Sequence, residues 1–324
     1  MKPWIKPLLL LAALLVAAPA TALAGEADLK LGTFTMHYRE EGKGAQTVLL
    51  VHGFAGTHAT WSALIKKIPT RQYRVIAIDL RGAGKSTVTD SGYSIDQAVA
   101  DIEEFAKTKG LDKFTLIGHS LGGGIAASYA LAHPERVNAL VLVDPLATFG
   151  LAKLPKEAYD WFAGAQTTPQ GKKAVVEGAF QKSKTGKLNV DAATVKAAMA
   201  AAETWGPAIW KGHLESMKSF DITKKVRAIT APTLIIYGKK DAVIPLDGIT
   251  SYKQIPGSVE KVIDNASHSP QLETPAEFSK LVLEFLPKPA KPAKAPKAAT
   301  LETQPIIWDG LPVPAISRSG FGRA

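Results

Sequence analysis

"LIGHSLGGG", residues 116–124, is the stretch whose reading decides the fold. With Phe114 and Thr115 ahead of it, it begins as an apolar run. It then passes through Gly118-His119-Ser120-Leu121-Gly122 into the small-residue segment "GGIAASYALAH" (123–133). A strand that turns abruptly into a helix raises the corner residue above the sheet and crowds its neighbours. Glycine is therefore wanted two positions to either side. Ser120 is that corner residue, and a hydroxyl presented in this way is a candidate nucleophile.

A serine hydroxyl attacks only when a base takes its proton, and the base needs an acid to fix its tautomer. With the serine on such a turn, those partners follow it in the order acid, histidine. After the strand-like "TLIIYG" (233–238) comes "KKDAVIP" (239–245), which sets Asp241 in a loop at a strand's carboxyl end. After "EKVID" (260–264) comes "NASHSP" (265–270), which sets His268 in the next such loop. Asp144 also ends a strand and is a rival acid; Asp264 is a weaker one. Of the seven histidines, only His268 lies between the last strand and the last helix. Two N–H donors are needed for the tetrahedral intermediate. The backbone of Leu121 is one, and that of Phe54, in the glycine-flanked "VHGFAG" (51–56), is the other. His52 reads as a loop-stabilising residue and not as a catalyst.

Working outward, "TVLLVH" (47–52), "RVIAID" (74–79), "FTLIGH" (114–119), "VNALVLVD" (137–144) and "TLIIYG" are continuous apolar runs. Parallel strands covered by helices on both faces read that way. "TFTMHYRE" (33–40) alternates as a half-exposed strand does. Helical stretches at 60–68, 94–109, 121–132 and 274–286 separate the strands, the second opening on a capping box from Ser94 to Gln97. The alternation predicts an α/β fold with a doubly wound, mostly parallel sheet. Residues 147–226 break the rhythm. They are rich in Ala, Lys and aromatics (Tyr159, Trp161, Phe162, Trp205, Trp210), and they interrupt the chain after the sixth strand. An insertion there overhangs the carboxyl ends of the strands, so it is read as a helical cap with an apolar roof.

"DLRGAGKST" (79–87) imitates the end of a phosphate-binding loop. A true one carries a glycine five positions before Gly84, and here that position is Asp79, an anion that would repel phosphate. Ser86 is also followed by a polar loop, not a helix. Nucleotide binding is set aside.

The two ends stand apart from the body. "MKPWIKP", the apolar "LLLLAALLVAA" (8–18) and the Ala22-x-Ala24 pattern describe a secretory signal peptide over 1–24, so export to the periplasm or beyond is expected. Cysteine is absent, which excludes disulfides, thiol nucleophiles and thiolate metal sites. "PKPAKPAKAPKAA" (287–299) reads as a charged, semi-rigid linker, and 300–324 as a tail too short for a core, expected to be disordered. The net charge of +10 is concentrated at the ends: +2 before the first apolar run and +4 after residue 286 leave only +4 for the body. No nucleic-acid partner is implied. Weak contact of Lys288, Lys291, Lys294 and Lys297 with an anionic envelope surface is the use that the linker suggests.

Together, "HGF" (52–54), "GHSLGG" (118–123), "GKKDAVIP" (238–245) and "NASHSP" (265–270) resemble the α/β-hydrolase family over about 28–286. Asp79 to Ser86 resembles that family's D-x-R-G-x-G-x-S loop, whose glycines shape a turn. The resemblance implies Ser120 as nucleophile, His268 as base, Asp241 as its orienter, Phe54 and Leu121 as oxyanion donors, and no cofactor or metal in the reaction. Haloalkane dehalogenases and epoxide hydrolases use aspartate at the elbow, and Ser120 argues against both. Carboxylesterases and lipase-like enzymes, lactonases, carbon–carbon bond hydrolases and perhydrolases remain. Export disfavours the carbon–carbon hydrolases of ring-cleavage products, so hydrolysis of small apolar esters is the leading expectation and of lactones the next. A non-catalytic ligand binder on the same fold is the reading from another class.

Overall fold

A computed structural model describes residues 25–288. The expected leader (1–24), the tail (300–324) and all of the linker but its first two residues lie outside the described residues. Eight strands form one sheet: β1 (Gly25–Lys30), β2 (Thr35–Glu41), β3 (Gln46–Val51), β4 (Tyr73–Ile78), β5 (Phe114–His119), β6 (Val137–Val143), β7 (Thr233–Gly238) and β8 (Val259–Ile263). Their order across the sheet is β1-β2-β4-β3-β5-β6-β7-β8. The pairings β1–β2 and β2–β4 are antiparallel and the other five are parallel. The doubly wound α/β reading is correct, and the structure adds β1, an edge strand whose polar "GEADLK" offers no buried alternation to detect.

The period of two sorts the apolar runs onto the two faces of the sheet. Leu49 and Val51 of β3 join one core cluster while Val48 and Leu50 join the other. Leu140 and Leu142 of β6 likewise part company with Val141 and Val143. The first face is covered by α2 (Ile95–Thr108) and α3 (Leu121–Ala132). The second is covered by α1 (Ser62–Ile65) and the later α10 (Pro275–Phe285). Covering both faces buries every residue of β5, which is why its sequence shows no polar alternation. Only half of the expected capping box forms at α2. Ser94 Oγ accepts the Gln97 N–H at 3.1 Å, but the Gln97 amide donates instead to Asp101 Oδ1 at 2.9 Å.

Between β6 and β7 stand four helices: α4 (Lys156–Gly164), α5 (Pro169–Gly178), α6 (Ala192–Glu203) and α7 (Pro207–Ser219). Trp205 and Trp210 are completely buried beneath them, while Trp161 is 55% exposed. After β7 come α8 (Leu246–Thr250) and, beyond β8, α9 (Pro270–Glu273). The carboxyl ends of β3, β5, β6, β7 and β8 therefore open toward the segment inserted between β6 and β7, the edge where parallel α/β sheets bind ligands.

Candidate active site

The turn from β5 to α3 holds Ser120 at φ 54°, ψ −119°, a left-handed backbone that a β-carbon disfavours. The strain is forced by close packing. A β-carbon on Gly118 would lie 2.1 Å from the Gly122 carbonyl oxygen, and one on Gly122 would lie 2.4 Å from the carbonyls of Val51 and His52. Both flanking glycines are thus required by contact.

Ser120 Oγ donates to His268 Nε2 at 2.9 Å, and His268 Nδ1 donates to Asp241 Oδ2 at 2.9 Å. These partners fix the histidine tautomer, with the proton on Nδ1 and a lone pair facing the hydroxyl. The second Asp241 oxygen accepts the N–H groups of Val243 at 2.7 Å and Ile244 at 3.1 Å. Burial opposes a charge on Asp241, but the His268 imidazole and those two N–H groups outweigh it. The carboxyl is held below its ordinary value.

Asp144, the rival acid, lies within 4.8 Å of both Asp241 and His268 but takes a different part. It is wholly buried, with φ 38°, and its Oδ1 accepts the Gly238 N–H at 3.0 Å. Burial and then the neighbouring Asp241 carboxylate push its carboxyl well above the ordinary range. The environments of the two acids thus push their proton affinities apart, toward the charged form for Asp241 beside the imidazole and toward the neutral form for Asp144 behind it. Asp264 is not in the cluster; it pairs at the surface with Lys239 at 2.9 Å.

Gly53 presses against the elbow, since a β-carbon on it would lie 3.0 Å from Ser120 Cβ. The Phe54 peptide follows directly, and Leu121 is the first residue of the twelve-residue α3. The segments bearing both expected oxyanion donors therefore adjoin the elbow, and Leu121 stands at the positive end of a helix. His52 does brace the loops. Its Nδ1 donates to the Gly53 carbonyl at 2.8 Å and its Nε2 accepts the Leu80 N–H at 3.0 Å.

Two supporting residues escaped the sequence reading. Burial pushes the His119 imidazole down to about 3, so it stays neutral and donates Nε2–H to the His268 carbonyl at 2.7 Å. Glu273 Oε1 accepts the N–H groups of Ser267 at 2.9 Å and Ser269 at 3.2 Å, clasping the histidine loop from both sides. Neither carries a local signal, because each acts across a fold contact.

The serine and histidine open into a cavity of ≈ 450 Å³, within the range of small-molecule sites. Its lining is overwhelmingly apolar, including Leu151, Trp161, Phe162, Val175 and Phe180 from the segment between β6 and β7. Among the described residues it contains no Asp, Glu, Lys or Arg side chain. The Phe54 ring is clasped by Trp210, Trp205 and Phe162, with centroids at 4.6, 5.0 and 5.3 Å. Trp205 Nε1 also donates to the Gly56 carbonyl at 3.0 Å. The Gly84 turn is occupied from within: Asp79 accepts the N–H groups of His58 at 2.6 Å and Lys85 at 3.0 Å. A resident carboxylate sits where the imitation phosphate loop would have held its ligand.

A family model described as the alpha/beta hydrolase fold matches residues 46–275. A 2-hydroxy-6-oxo-6-(2'-aminophenyl)hexa-2,4-dienoic acid hydrolase from Metapseudomonas resinovorans is 30% identical over 287 residues, covering 83% of this chain and 93% of that one. A pimeloyl-[acyl-carrier protein] methyl ester esterase from Citrobacter koseri is 29% identical, over 76% of this chain and 96% of its own. The enol-lactonase of Burkholderia xenovorans LB400 superposes with a TM-score of 0.73 at 20% identity, over 80% of this chain and 99% of that one, a likeness of fold. This chain belongs to the α/β-hydrolase family. These two relatives are named as a hydrolase and as a methyl ester esterase.

Proposed function

We propose that this protein is a serine hydrolase that cleaves carboxylic esters of small, uncharged, apolar acids through an acyl-enzyme. The observation that carries the reading is the unbroken Ser120–His268–Asp241 relay at the mouth of an apolar cavity without charged side chains. Ser120 Oγ attacks the ester carbonyl carbon as His268 Nε2 takes its proton. The Phe54 and Leu121 N–H groups receive the oxyanion. On collapse the carbon–oxygen bond to the alcohol breaks, and His268 returns the proton to the leaving alkoxide. Water then repeats the sequence on the acyl-enzyme and releases the acid.

Relatives that cleave different bonds are separated here by the lining of the cavity. The substrate in the printed name of the Metapseudomonas relative is a carboxylic acid, ionised at neutral pH. Such a group wants a buried cation or a set of donors, since an unpaired charge in an apolar cavity is costly. The lining offers neither Lys nor Arg among the described residues, which favours uncharged esters over acidic ring-cleavage products. Lactones, being uncharged acyl esters, are the second reading. Export rests on the leader pattern in the first 24 residues, and its measure is the mature N-terminus of protein recovered outside the cytoplasm.

The test is a panel of p-nitrophenyl esters and lactones of graded chain length, together with a fluorophosphonate probe. The expected result is covalent labelling of Ser120 and hydrolysis of short and medium neutral acyl chains. A terminal carboxylate on the acyl chain should cost at least about tenfold in kcat/KM. Folded protein that neither labels nor hydrolyses would be a ligand binder, and equal turnover of the carboxylated esters would overturn the assigned substrate class.

A further inference from the structure

Away from the active site, three side chains of the edge of the sheet converge in a way that hydrolysis does not use. His37 of β2 and His58, in the 3-10 turn His58–Trp61 that follows β3, each point Nε2 at Glu26 of β1. His37 Nε2 is 3.5 Å from one Glu26 oxygen and His58 Nε2 is 3.5 Å from the other. The opposite ring nitrogens are both engaged by carboxylates. His37 Nδ1 meets Asp28 Oδ1 at 2.6 Å, and His58 Nδ1 meets Asp79 Oδ1 at 2.9 Å.

Those outer carboxylates decide the tautomer. Each Nδ1 carries the proton it donates, so each neutral ring turns an Nε2 lone pair toward the same carboxylate. In the neutral form two Nε2 lone pairs then face the Glu26 carboxylate, which already pairs with the Lys85 ammonium. A proton on an imidazole or a metal ion between them would relieve the remaining repulsion. At 3.5 Å from Glu26 neither nitrogen has a good hydrogen bond to it. His37 Nε2 is buried without any partner, on a residue only 4% exposed.

We propose that Glu26, His37 and His58 form a site for a divalent transition-metal ion of the zinc type. Imidazole nitrogen and carboxylate oxygen are the donors such ions take, at about 2.0–2.2 Å. Tetrahedral bonds of that length hold neighbouring donor atoms about 3.3–3.5 Å apart. Here each imidazole lies 3.5 Å from a different Glu26 oxygen, and one donor atom from each of the three residues lies within 4.8 Å of the others. A modest rotation of the half-exposed carboxylate would seat one ion. A carboxylate behind each ligating histidine is the usual outer support of such centres. Asp28 and Asp79 fill that place, and Asp79 is locked in turn by the backbone N–H groups of His58 and Lys85. Glu26 is 41% exposed, so it offers both the entry path and room for water as the fourth ligand.

The charged groups around the site are Glu26, Asp28, Asp79 and Lys85, three anions and one cation. The Lys85 ammonium pairs with Glu26, but its side chain is 64% exposed and can swing into solvent when an ion takes the carboxylate. Lys85 is thus a competitor for the site. The bound ion would tie the polar edge strand β1 to β2 and to the 3-10 turn that follows the Phe54 loop. It would play no part in ester cleavage.

The experiment uses the purified full chain, stripped with a chelator and titrated with zinc by calorimetry. Cobalt(II) serves as an optical probe of nitrogen and oxygen donors. One equivalent is expected to bind, with a visible ligand-field band for cobalt and a higher melting temperature for the zinc form. Glu26→Gln, at a half-exposed position, should fold and weaken zinc binding by about 100-fold or more, beyond the loss typical of an outer partner. Lys85→Met should tighten it. Asp241→Asn should leave it unchanged, because Asp144, Asp241 and His268 form the one other cluster among the described residues close enough to share an ion. Binding far below one equivalent, affinity indifferent to Glu26→Gln, or binding lost with Asp241→Asn would each overturn the assignment.

Discussion

At the scale of single residues, the two buried aspartates beside His268 make the sharpest distinction. The surroundings favour the charged form of Asp241, which the imidazole needs, and the neutral form of Asp144, so the same substitution should cost very different amounts at the two positions. Asp241→Asn should lower kcat for ester hydrolysis by about 10²- to 10⁴-fold through loss of the tautomer lock. Asp144→Asn retains an acceptor for the Gly238 N–H and an N–H that can replace the proton facing Asp241, so its loss should be at least about tenfold smaller. Stability should respond the other way. A carboxyl whose folded pKa is raised holds a proton that the unfolded chain releases above about pH 4. The unfolded state then binds fewer protons, and wild-type stability declines as pH rises from there toward the folded value. Asn removes that slope, so melting curves from pH 5 to 8 should show Asp144→Asn gaining on wild type as pH increases. A constant difference across that range would mean Asp144 is ionised in the fold. Ser120→Ala is simpler. It removes the attacking atom from an elbow that α3 and the glycines still hold, and should cost about 10⁴-fold or more in kcat with an unchanged melting temperature.

At the scale of elements, the helices between β6 and β7 reach beyond the walls of the cavity. Trp205 and Trp210, expected from the sequence to belong to an apolar roof, grip the Phe54 ring, and Trp205 also bonds the Gly56 carbonyl. The loop proposed to supply an oxyanion donor is therefore shaped by residues some 150 positions away in the chain. Trp205→Phe keeps an aromatic ring, removes one hydrogen bond, worth about 0.5–1.5 kcal/mol, and leaves a small cavity where the pyrrole part of the indole was buried. The expected result is a several-fold lower kcat with KM nearly unchanged, because the donor is displaced where charge develops in the transition state. A rise in KM with kcat intact would make Trp205 a wall of the cavity and not a brace of the loop.

At the scale of the whole molecule, among the described residues the two core clusters on either face of the sheet are built entirely from residues before 287. The last outward ties from the body reach Pro287, whose carbonyl accepts the Tyr73 hydroxyl at 3.1 Å, and Lys288, whose ammonium donates to the Leu283 carbonyl at 2.8 Å. The residues beyond lie outside the described ones, and the expectation that they act independently of the body rests on the Pro-, Ala- and Lys-rich composition of the linker. A chain truncated after Lys288 should keep its melting temperature and its kcat and KM. A changed KM would show that Trp308 or its neighbours reach the cavity.

The chain's order of strands, its elbow and the loops bearing Asp241 and His268 were legible because each rests on local rules. Buried parallel strands are continuous apolar runs, a strained corner demands Gly118 and Gly122, and polar loops follow strand ends. The sequence by itself therefore determined the doubly wound sheet and the candidate triad residues. What it left open was settled by contacts between distant segments. The choice of Asp241 over Asp144 depends on which carboxylate reaches His268 Nδ1, a matter of ångströms across two neighbouring strands. Strand β1 is polar and gains its place only by pairing with β2, register that no periodicity in "GEADLK" encodes. His119 and Glu273 support the histidine loop, and Glu26, His37 and His58 meet at one point, only because the sheet brings three separate elements together. Side-chain chemistry is written in the sequence, but direction and distance between such side chains come from packing, and both the choice of candidate acid and the proposed cation site depend on those.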